Sequence, residues 1–230
     1  MNRADILAVG AHPDDVEIGM GGTLAKHVEK GAKVALCSLT KGELSSNGTV
    51  EERQQEAREA AEVLGVQRYQ LEFSDRSLHT EGEDFTELVA LIRAVKPKVV
   101  FAPMPDRHPD HGMCGKIVKE AVFNAKIKKY QAFHTEAHKA DALHFYMING
   151  IQEADFYVDI SAYIEKKIKA LSCYKSQFEK REGTIETPLT NGYVEGVRAR
   201  EYVFGKQAGV GYAEAFIKDS PLLIDNLLGV

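Results

Sequence analysis

The stretch Ile6-Leu7-Ala8-Val9-Gly10-Ala11-His12-Pro13-Asp14-Asp15 joins a buried strand to the start of a helix. Its first four residues form a short, continuous apolar run, which is typical of a strand covered on both faces. Apolar residues then recur every four positions from Val16 to Val28, and this spacing predicts one buried face of a helix. The segment therefore reads as the first β-α unit of an α/β protein.

The same alternation repeats along the first half of the chain. The apolar runs predict further strands at residues 34–39, 69–73 and 98–102, each followed by a helical pattern, with Gly65 ending the second helix. Repeated β-α units build a mainly parallel sheet. We expect an α/β fold: a Rossmann-like, doubly wound, mainly parallel sheet with helices on both faces.

The second half of the chain has a weaker pattern. It predicts strands at residues 144–148 and 156–160, a helix after Ser161 as N-cap, a loop over 183–196 and a helix over 197–206. We find no repeats, low-complexity tracts or linkers, so we expect a single domain over residues 1–230.

Composition limits the classes of function. The chain has 230 residues, 44% of them hydrophobic and 27% charged, with a net charge of −5. Its lysines and arginines are scattered, which argues against nucleic acid as a partner. The longest run without a charged residue, 142–152, is too short to span a membrane, and no signal-like stretch opens the chain. Three cysteines without a C-x-x-C pair fit a reducing compartment, so we expect a cytoplasmic protein.

The turn after the first strand carries the first candidate site. His12 and Asp15 lie three residues apart where a helix opens, so both side chains can converge on one ion. An imidazole with a carboxylate suits zinc. Asp14 could then take a proton from metal-bound water. Alternatively, these residues only cap the helix and favour its positive end.

The second candidate segment is Pro105-Asp106-Arg107-His108-Pro109-Asp110-His111, directly after the fourth strand. In a doubly wound sheet of the common order, strands one and four are neighbours at the topological switch point. His12, Asp15 and one histidine of this segment would then make three ligands. A fourth position left to water is the arrangement of a catalytic zinc.

A third segment follows the second strand: Thr40-Lys41-Gly42-Glu43, with Arg53 and Glu56 on the next helix. Its loop should border the same crevice, where the planar fork of Arg53 could hold a substrate oxygen or an anion. Alternatively, Arg53 is an exposed helix charge paired with Glu56 or Glu51.

Together these segments resemble the LmbE/PIG-L family of zinc-dependent N-acetylglucosaminyl deacetylases. The shared marks are the H-P-D-D turn, the T-x-G-E loop followed by R-x-x-E, and the H-x-x-H motif of His108 and His111. Residues 209–216 look like the C-terminal signature of one branch, the bacillithiol biosynthesis deacetylases, which act on N-acetylglucosaminyl-malate.

The resemblance implies one Zn2+ per chain, held by His12, Asp15 and His111, with Asp14 as general base. It also implies an amino-sugar substrate of small size. A homo-oligomer is expected on the same ground, since family members often assemble as hexamers.

Four further residues take roles by resemblance. His108 would stabilise the developing oxyanion or protonate the leaving amine, and Asp110 would orient it. Arg53 would contact the sugar. Tyr193 would reach over the reacting carbon.

Several alternatives stay open on the sequence. A Rossmann-like nucleotide-binding or regulatory protein would lack hydrolase activity, although G-x-G-x-x-G is absent from the first turn. A structural metal would need a fourth ligand, for which His134, His138 and His144 are candidates. N-acetylglucosamine and chitooligosaccharides are alternative substrates. Cys114 is expected to be a buried helix residue rather than a nucleophile.

Overall fold

A computed structural model describes residues 2–221 of the protein. The strands are β1 Ile6–Gly10, β2 Val34–Ser38, β3 Gln67–Gln70, β4 Val99–Pro103, β5 Ala142–Tyr146, β6 Phe156–Asp159 and β7 Ala213–Lys218. The helices are α1 Asp15–Glu29, α2 Val50–Leu64, α3 Gly82–Val95, α4 Pro109–Ala125, α5 Ile164–Leu171, α6 Lys175–Phe178 and α7 Tyr193–Ala208, with a 3-10 helix at Pro188–Thr190. None of the helices described is both long and apolar enough to cross a bilayer.

The strands form one sheet in the order β3-β2-β1-β4-β5-β7-β6. The first five are parallel, and β1 lies between β2 and β4. This order confirms the expected α/β fold and the predicted contact between strands one and four. It also places the ends of β1 and β4 side by side, and both candidate motifs follow these ends.

Apolar side chains cover both faces of the sheet. One core contains Leu88, Ile92 and Ile117 from α3 and α4, and the other contains Leu24 from α1 and Leu171 from α5. All five side chains are fully buried. Burying a side chain of this size contributes about 1.5–3 kcal/mol, so the two layers fix the sheet that carries the site.

The glycine-rich part of α1 serves close packing. A Cβ at Gly19 would lie 2.0 Å from the Tyr146 ring, and one at Gly22 would lie 2.7 Å from Ile160. The hydroxyl of Tyr146 donates a hydrogen bond to the carbonyl of Val9 at 2.8 Å. These glycines lie within the helix, as predicted, and let α1 approach the sheet directly beneath the first motif.

Several boundaries differ from the sequence prediction; the fifth strand, for example, is Ala142–Tyr146 rather than residues 144–148. The third strand is Gln67–Gln70 rather than residues 69–73, because it lies at the sheet edge and carries no continuous apolar run. Helix α5 has Tyr163 rather than Ser161 as its N-cap. The Ser161 hydroxyl bonds the Asp159 carboxylate at 2.6 Å instead.

The C-terminal part holds more regular structure than the sequence predicts. The expected loop ends at Gly192, because α7 begins at Tyr193 and not at residue 197. Strand β7, which the sequence pattern did not predict, runs antiparallel between β5 and β6.

Candidate active site and metal centre

The two motifs at the ends of β1 and β4 meet in space. The ring centroids of His12 and His111 are 5.7 Å apart. Between them lies the carboxylate of Asp15, with Oδ2 at 3.5 Å from Nδ1 of His12 and Oδ1 at 3.2 Å from Nε2 of His111. All three side chains are buried. The structure therefore brings together the three residues predicted as metal ligands, although about a hundred residues separate them in the chain.

His108 lies in the same group. Nitrogen atoms of His12, His108 and His111 all lie within 4.8 Å of one another. The His108 ring stacks on His111 with centroids 4.9 Å apart, and its Nδ1 accepts a hydrogen bond from the backbone N–H of Asp110. Burial and the neighbouring imidazoles lower the pKa of His108. In the neutral ring the proton then sits on Nε2, which is free to act as a donor.

The backbone holds Asp14 in an uncommon conformation. Its φ is 101°, in the left-handed region, and it forms the N-cap of α1. Such a conformation in a residue other than glycine costs about 1–3 kcal/mol and persists only where the surroundings enforce it. The guanidinium of Arg53 supplies part of this enforcement by donating to the carbonyl of Pro13 at 2.8 Å and to Oδ2 of Asp14 at 3.1 Å.

Burial raises the pKa of Asp14 to about 7, against the opposing effect of the Arg53 charge. A carboxyl group with a pKa near neutrality can both accept and return a proton at physiological pH. Arg53 lines the cavity, but its hydrogen bonds go to the turn that carries Asp14, and the predicted sugar contact stays a prediction.

Two carboxylates that the sequence analysis did not single out orient the histidines. Asp106 accepts from Nδ1 of His111, with both oxygens at 2.8 Å. Asp75 has Oδ1 at 3.3 Å from Nε2 of His12, and its Oδ2 accepts from the backbone N–H of Leu44. Asp106 lies inside the quoted motif, and Asp75 follows the end of β3. A search of every strand end for acidic residues would have found both.

The carboxylate of Asp110 has a different partner from the one predicted. It accepts from Nη1 of Arg76 at 2.7 Å and from the backbone N–H of Arg76 at 2.9 Å. Only its backbone N–H bonds the His108 ring, at 3.3 Å. The expected orienting role for His108 is therefore carried by the first turn of α4 rather than by the Asp110 side chain.

Tyr193 reaches the site from the C-terminal part of the chain. Its hydroxyl donates to Oδ1 of Asn149 at 2.9 Å, and its ring lies parallel to that of Phe178 with centroids 5.7 Å apart. Burial raises the pKa of the Tyr193 hydroxyl, so this group stays a neutral donor. Tyr193 lines the same cavity as the histidines, and its predicted place over the reacting carbon stays a prediction.

These groups line one cavity of about 370 Å3. That volume is at the small end of the range for ligand sites in proteins. The floor carries the histidines with Asp14 and Asp15. The walls come from residues 44–47, Gln177, residues 187–189 and Tyr193, and three arginines also face the space: Arg53, Arg76 and Arg107.

Comparison with known proteins identifies the family. Residues 7–122 match the family described as PIG-L, GlcNAc-PI de-N-acetylase. The protein belongs to the PIG-L/LmbE family. It is 31% identical to the diacetylchitobiose deacetylase of Thermococcus kodakarensis over 225 residues, which cover 91% of this chain and 80% of the relative. The resemblance inferred from the motifs is confirmed, and the chain is an N-deacetylase by family.

Two further PIG-L/LmbE comparisons cover most of the chain. A probable N-acetyl-alpha-D-glucosaminyl L-malate deacetylase 2 of Bacillus anthracis is 26% identical over 85% of this chain and 89% of its own length. The crystal structure of a conserved protein from Thermus thermophilus superposes with a TM-score of 0.87 at 37% identity, covering 96% of this chain and 97% of the other.

The geometry of this PIG-L/LmbE protein also bears on two open alternatives. Within residues 2–221, the donors that could hold an ion form two groups, His12 with His108 and His111, and His12 with Asp75 and Asp110, and neither group includes His134, His138 or His144. Nε2 of His138 instead bonds the carbonyl of Pro97 at 2.7 Å. Cys114 is buried in α4 and burial raises its pKa well above that of a free thiol, which fits the packing role expected for it.

Proposed function

We propose that this protein is a metal-dependent hydrolase that removes the acetyl group from the nitrogen of an N-acetylglucosaminyl compound. The observation that carries this proposal is the contact of the buried Asp15 carboxylate with both His12, at 3.5 Å, and His111, at 3.2 Å, in a cavity that Asp14 also lines. A nucleotide-binding protein would have no need for this donor set.

The residues present fit a zinc ion. Two imidazoles and one carboxylate, His12, His111 and Asp15, would hold one ion per chain, and this set matches the three protein ligands of catalytic zinc. Each imidazole turns its other nitrogen toward a carboxylate, Asp75 or Asp106, as metal-binding histidines commonly do. When bound, such an ion polarises the acetyl carbonyl and lowers the pKa of a water molecule from 15.7 to about 7.

Asp14 is the proposed general base. Its carboxyl lies next to the ligands, has a pKa of about 7, and is held in place by Arg53. It takes the proton of the attacking water and can pass it to the leaving nitrogen, because its two protonation states are close in free energy near pH 7.

His108 and Tyr193 are the proposed donors to the acetyl oxygen. Both line the cavity, and each has one proton to donate; the hydroxyl proton of Tyr193, which goes to Asn149 in this structure, would turn to the acetyl oxygen when substrate binds. A donor aimed at the charge that develops on this oxygen contributes about 2.7–4 kcal/mol in other enzymes. Asp110 has a supporting role. Its backbone N–H donates to Nδ1 of His108, and its carboxylate accepts from Arg76.

For the substrate, we propose N-acetylglucosaminyl-malate, as used in bacillithiol biosynthesis. Two malate carboxylates require a cation at the cavity. Arg53 is engaged with Asp14 and Arg76 with Asp110, and Lys41 pairs with Glu72 at 2.5 Å. Arg107 has no carboxylate partner within the described residues, is exposed and lines the cavity. Similarity to the malate deacetylase supports this choice, and similarity to diacetylchitobiose deacetylase supports diacetylchitobiose as the second candidate.

We test this proposal on protein stripped with a chelator and reloaded with Zn2+ or Fe2+. Free amine and acetate are measured with N-acetylglucosaminyl-malate, diacetylchitobiose and N-acetylglucosamine. We expect metal-dependent release, fastest with the malate compound. Release that is unaffected by the chelator, or nucleotide binding without any release, would contradict the proposal.

Location and assembly complete the proposal. We infer a cytoplasmic homo-oligomer. The few cysteines without a C-x-x-C pair fit a reducing compartment, and the family resemblance supports the assembly. Sedimentation velocity on the purified protein tests the assembly, and a single monomeric species would contradict it.

A further inference from the structure

Glu56 has no role in the chemistry described, although it belongs to the R-x-x-E pattern. It lies three residues after Arg53, so both side chains leave the same buried face of α2. Arg53 binds the turn of Asp14. Glu56 binds Ser176, next to the cavity residue Gln177: one oxygen accepts from the backbone N–H of Ser176 at 2.7 Å and the other from its hydroxyl at 2.6 Å.

The contact of Glu56 with Ser176 is unusual, because a buried carboxylate is bound here by neutral donors. Glu56 is only 6% exposed, and both of these hydrogen-bond donors are neutral groups of Ser176. Burying a charge without a cation beside it is costly unless hydrogen bonds replace its hydration. Burial accordingly raises the pKa of Glu56. The two short bonds therefore tie the position of Ser176 closely to that of α2.

Ser176 belongs to α6, a helix of four residues. A helix this short has no stability of its own, so its position depends on tertiary contacts. The next residue, Gln177, donates to the carbonyl of Asn47 at 2.9 Å and accepts from the hydroxyl of Ser45 at 2.9 Å. One wall of the cavity, residues 45–47, is thereby attached to α6.

The following residue, Phe178, carries the second connection. Its ring lies against Tyr193 with an interplanar angle of 3°. Tyr193 is both a wall of the cavity and a proposed donor to the acetyl oxygen. The aromatic pair thus transmits the position of α6 to the opposite wall.

We propose that Glu56 is a positioning residue that sets the width of the cavity by fixing α6, and through it residues 45–47 and Tyr193. The expected effect of Glu56 on substrate binding rests on the proposed function. Its expected effect on the positions of residues 45–47 and Tyr193 is independent of that function.

The first test measures hydrogen exchange in Glu56→Gln. The variant keeps the side-chain shape but removes the charge: its oxygen can accept from the backbone N–H of Ser176, whereas its NH2 can only donate to the serine hydroxyl. Glu59→Gln is the matched control, because it makes the same change on the exposed side of α2. We expect amides of residues 44–48 and 175–193 to exchange about tenfold faster in Glu56→Gln alone, because neutral hydrogen bonds replace two charge-assisted ones. Unchanged exchange, or an equal increase in α1, would overturn the proposal.

The second test measures kinetics on the zinc-loaded protein. We expect KM of Glu56→Gln to rise about tenfold with unchanged zinc content, and the double variant with Ser176→Ala to be no worse than Glu56→Gln alone, because both changes act through one contact. A wild-type KM despite faster exchange would refute the link to the substrate. If the wild-type protein releases no acetate, the proposed function fails, and the exchange data still decide the role of Glu56.

Discussion

The floor and the walls of the cavity are built in different ways. The floor consists of the histidines with Asp14 and Asp15, which follow the ends of two paired parallel strands. The walls consist of residues 44–47, α6 and Tyr193, which are joined by hydrogen bonds and ring contacts between side chains distant in sequence. The proposed catalytic residues therefore follow rigid strands, whereas the shape of the cavity depends on a few side-chain contacts between loops and short helices.

The largest effect should come from the floor, with Asp14→Asn. The amide cannot accept the proton of water, and general base catalysis contributes about 10²–10⁴-fold to the rate. We expect kcat to fall in this range while zinc content, measured by mass spectrometry of the metal, stays at one per chain. Near wild-type turnover with zinc still bound would remove Asp14 from the mechanism.

The second-largest effect should come from a carboxylate that orients one of the floor histidines. Asp106→Asn weakens the hydrogen bond that orients His111, and changes of this type cost about 10–100-fold in metal affinity. We expect a Zn2+ dissociation constant raised by this factor, measured by competition with a chelating dye. Asp219→Asn, on a carboxylate paired with Lys119 and absent from the cavity lining, is the control and should bind zinc as the wild type does. Equal affinity in both variants would show that Asp106 does not orient a ligand.

The fold and the floor were predictable from the sequence, whereas of the walls only Tyr193 was named, and that through the family resemblance. Continuous apolar runs and four-residue spacing predict the strands and helices, and the rule for strand ends places His12 near His111. The contacts of Glu56 with Ser176 and of Phe178 with Tyr193 do not arise from a repeating spacing of residues. No pattern in the sequence therefore predicts them. Strand β7 was missed for a related reason, because it reads as part of a glycine-containing tail.

The third effect is smaller and should come from an arginine that lines the cavity outside the floor. Arg107→Ala removes the exposed guanidinium at the cavity, and a lost charge-assisted contact costs about 1.5–3 kcal/mol. We expect KM for N-acetylglucosaminyl-malate to rise about tenfold while KM for neutral diacetylchitobiose is unchanged. An equal rise for both substrates would contradict the assignment of Arg107 to the malate.

The smallest effect should come from Gly196→Ala in α7. A Cβ there meets no atom within 4 Å, and alanine is favoured over glycine inside a helix by about 0.5–1 kcal/mol. We expect the midpoint of thermal unfolding to rise by about 2–4 °C, measured by calorimetry, with unchanged kcat. A lower midpoint would show that the start of α7 does not have the helical form that places Tyr193 in the wall.

Anomalous diffraction from crystals of the zinc-loaded protein tests the assignment of the metal centre most directly. We predict a single peak per chain bonded to His12, Asp15 and His111, with the Asp14 carboxylate nearby and uncoordinated. A peak held by His12, Asp75 and Asp110, the second group of donors in the structure, would contradict this assignment. An ion enclosed by four protein ligands would contradict it as well.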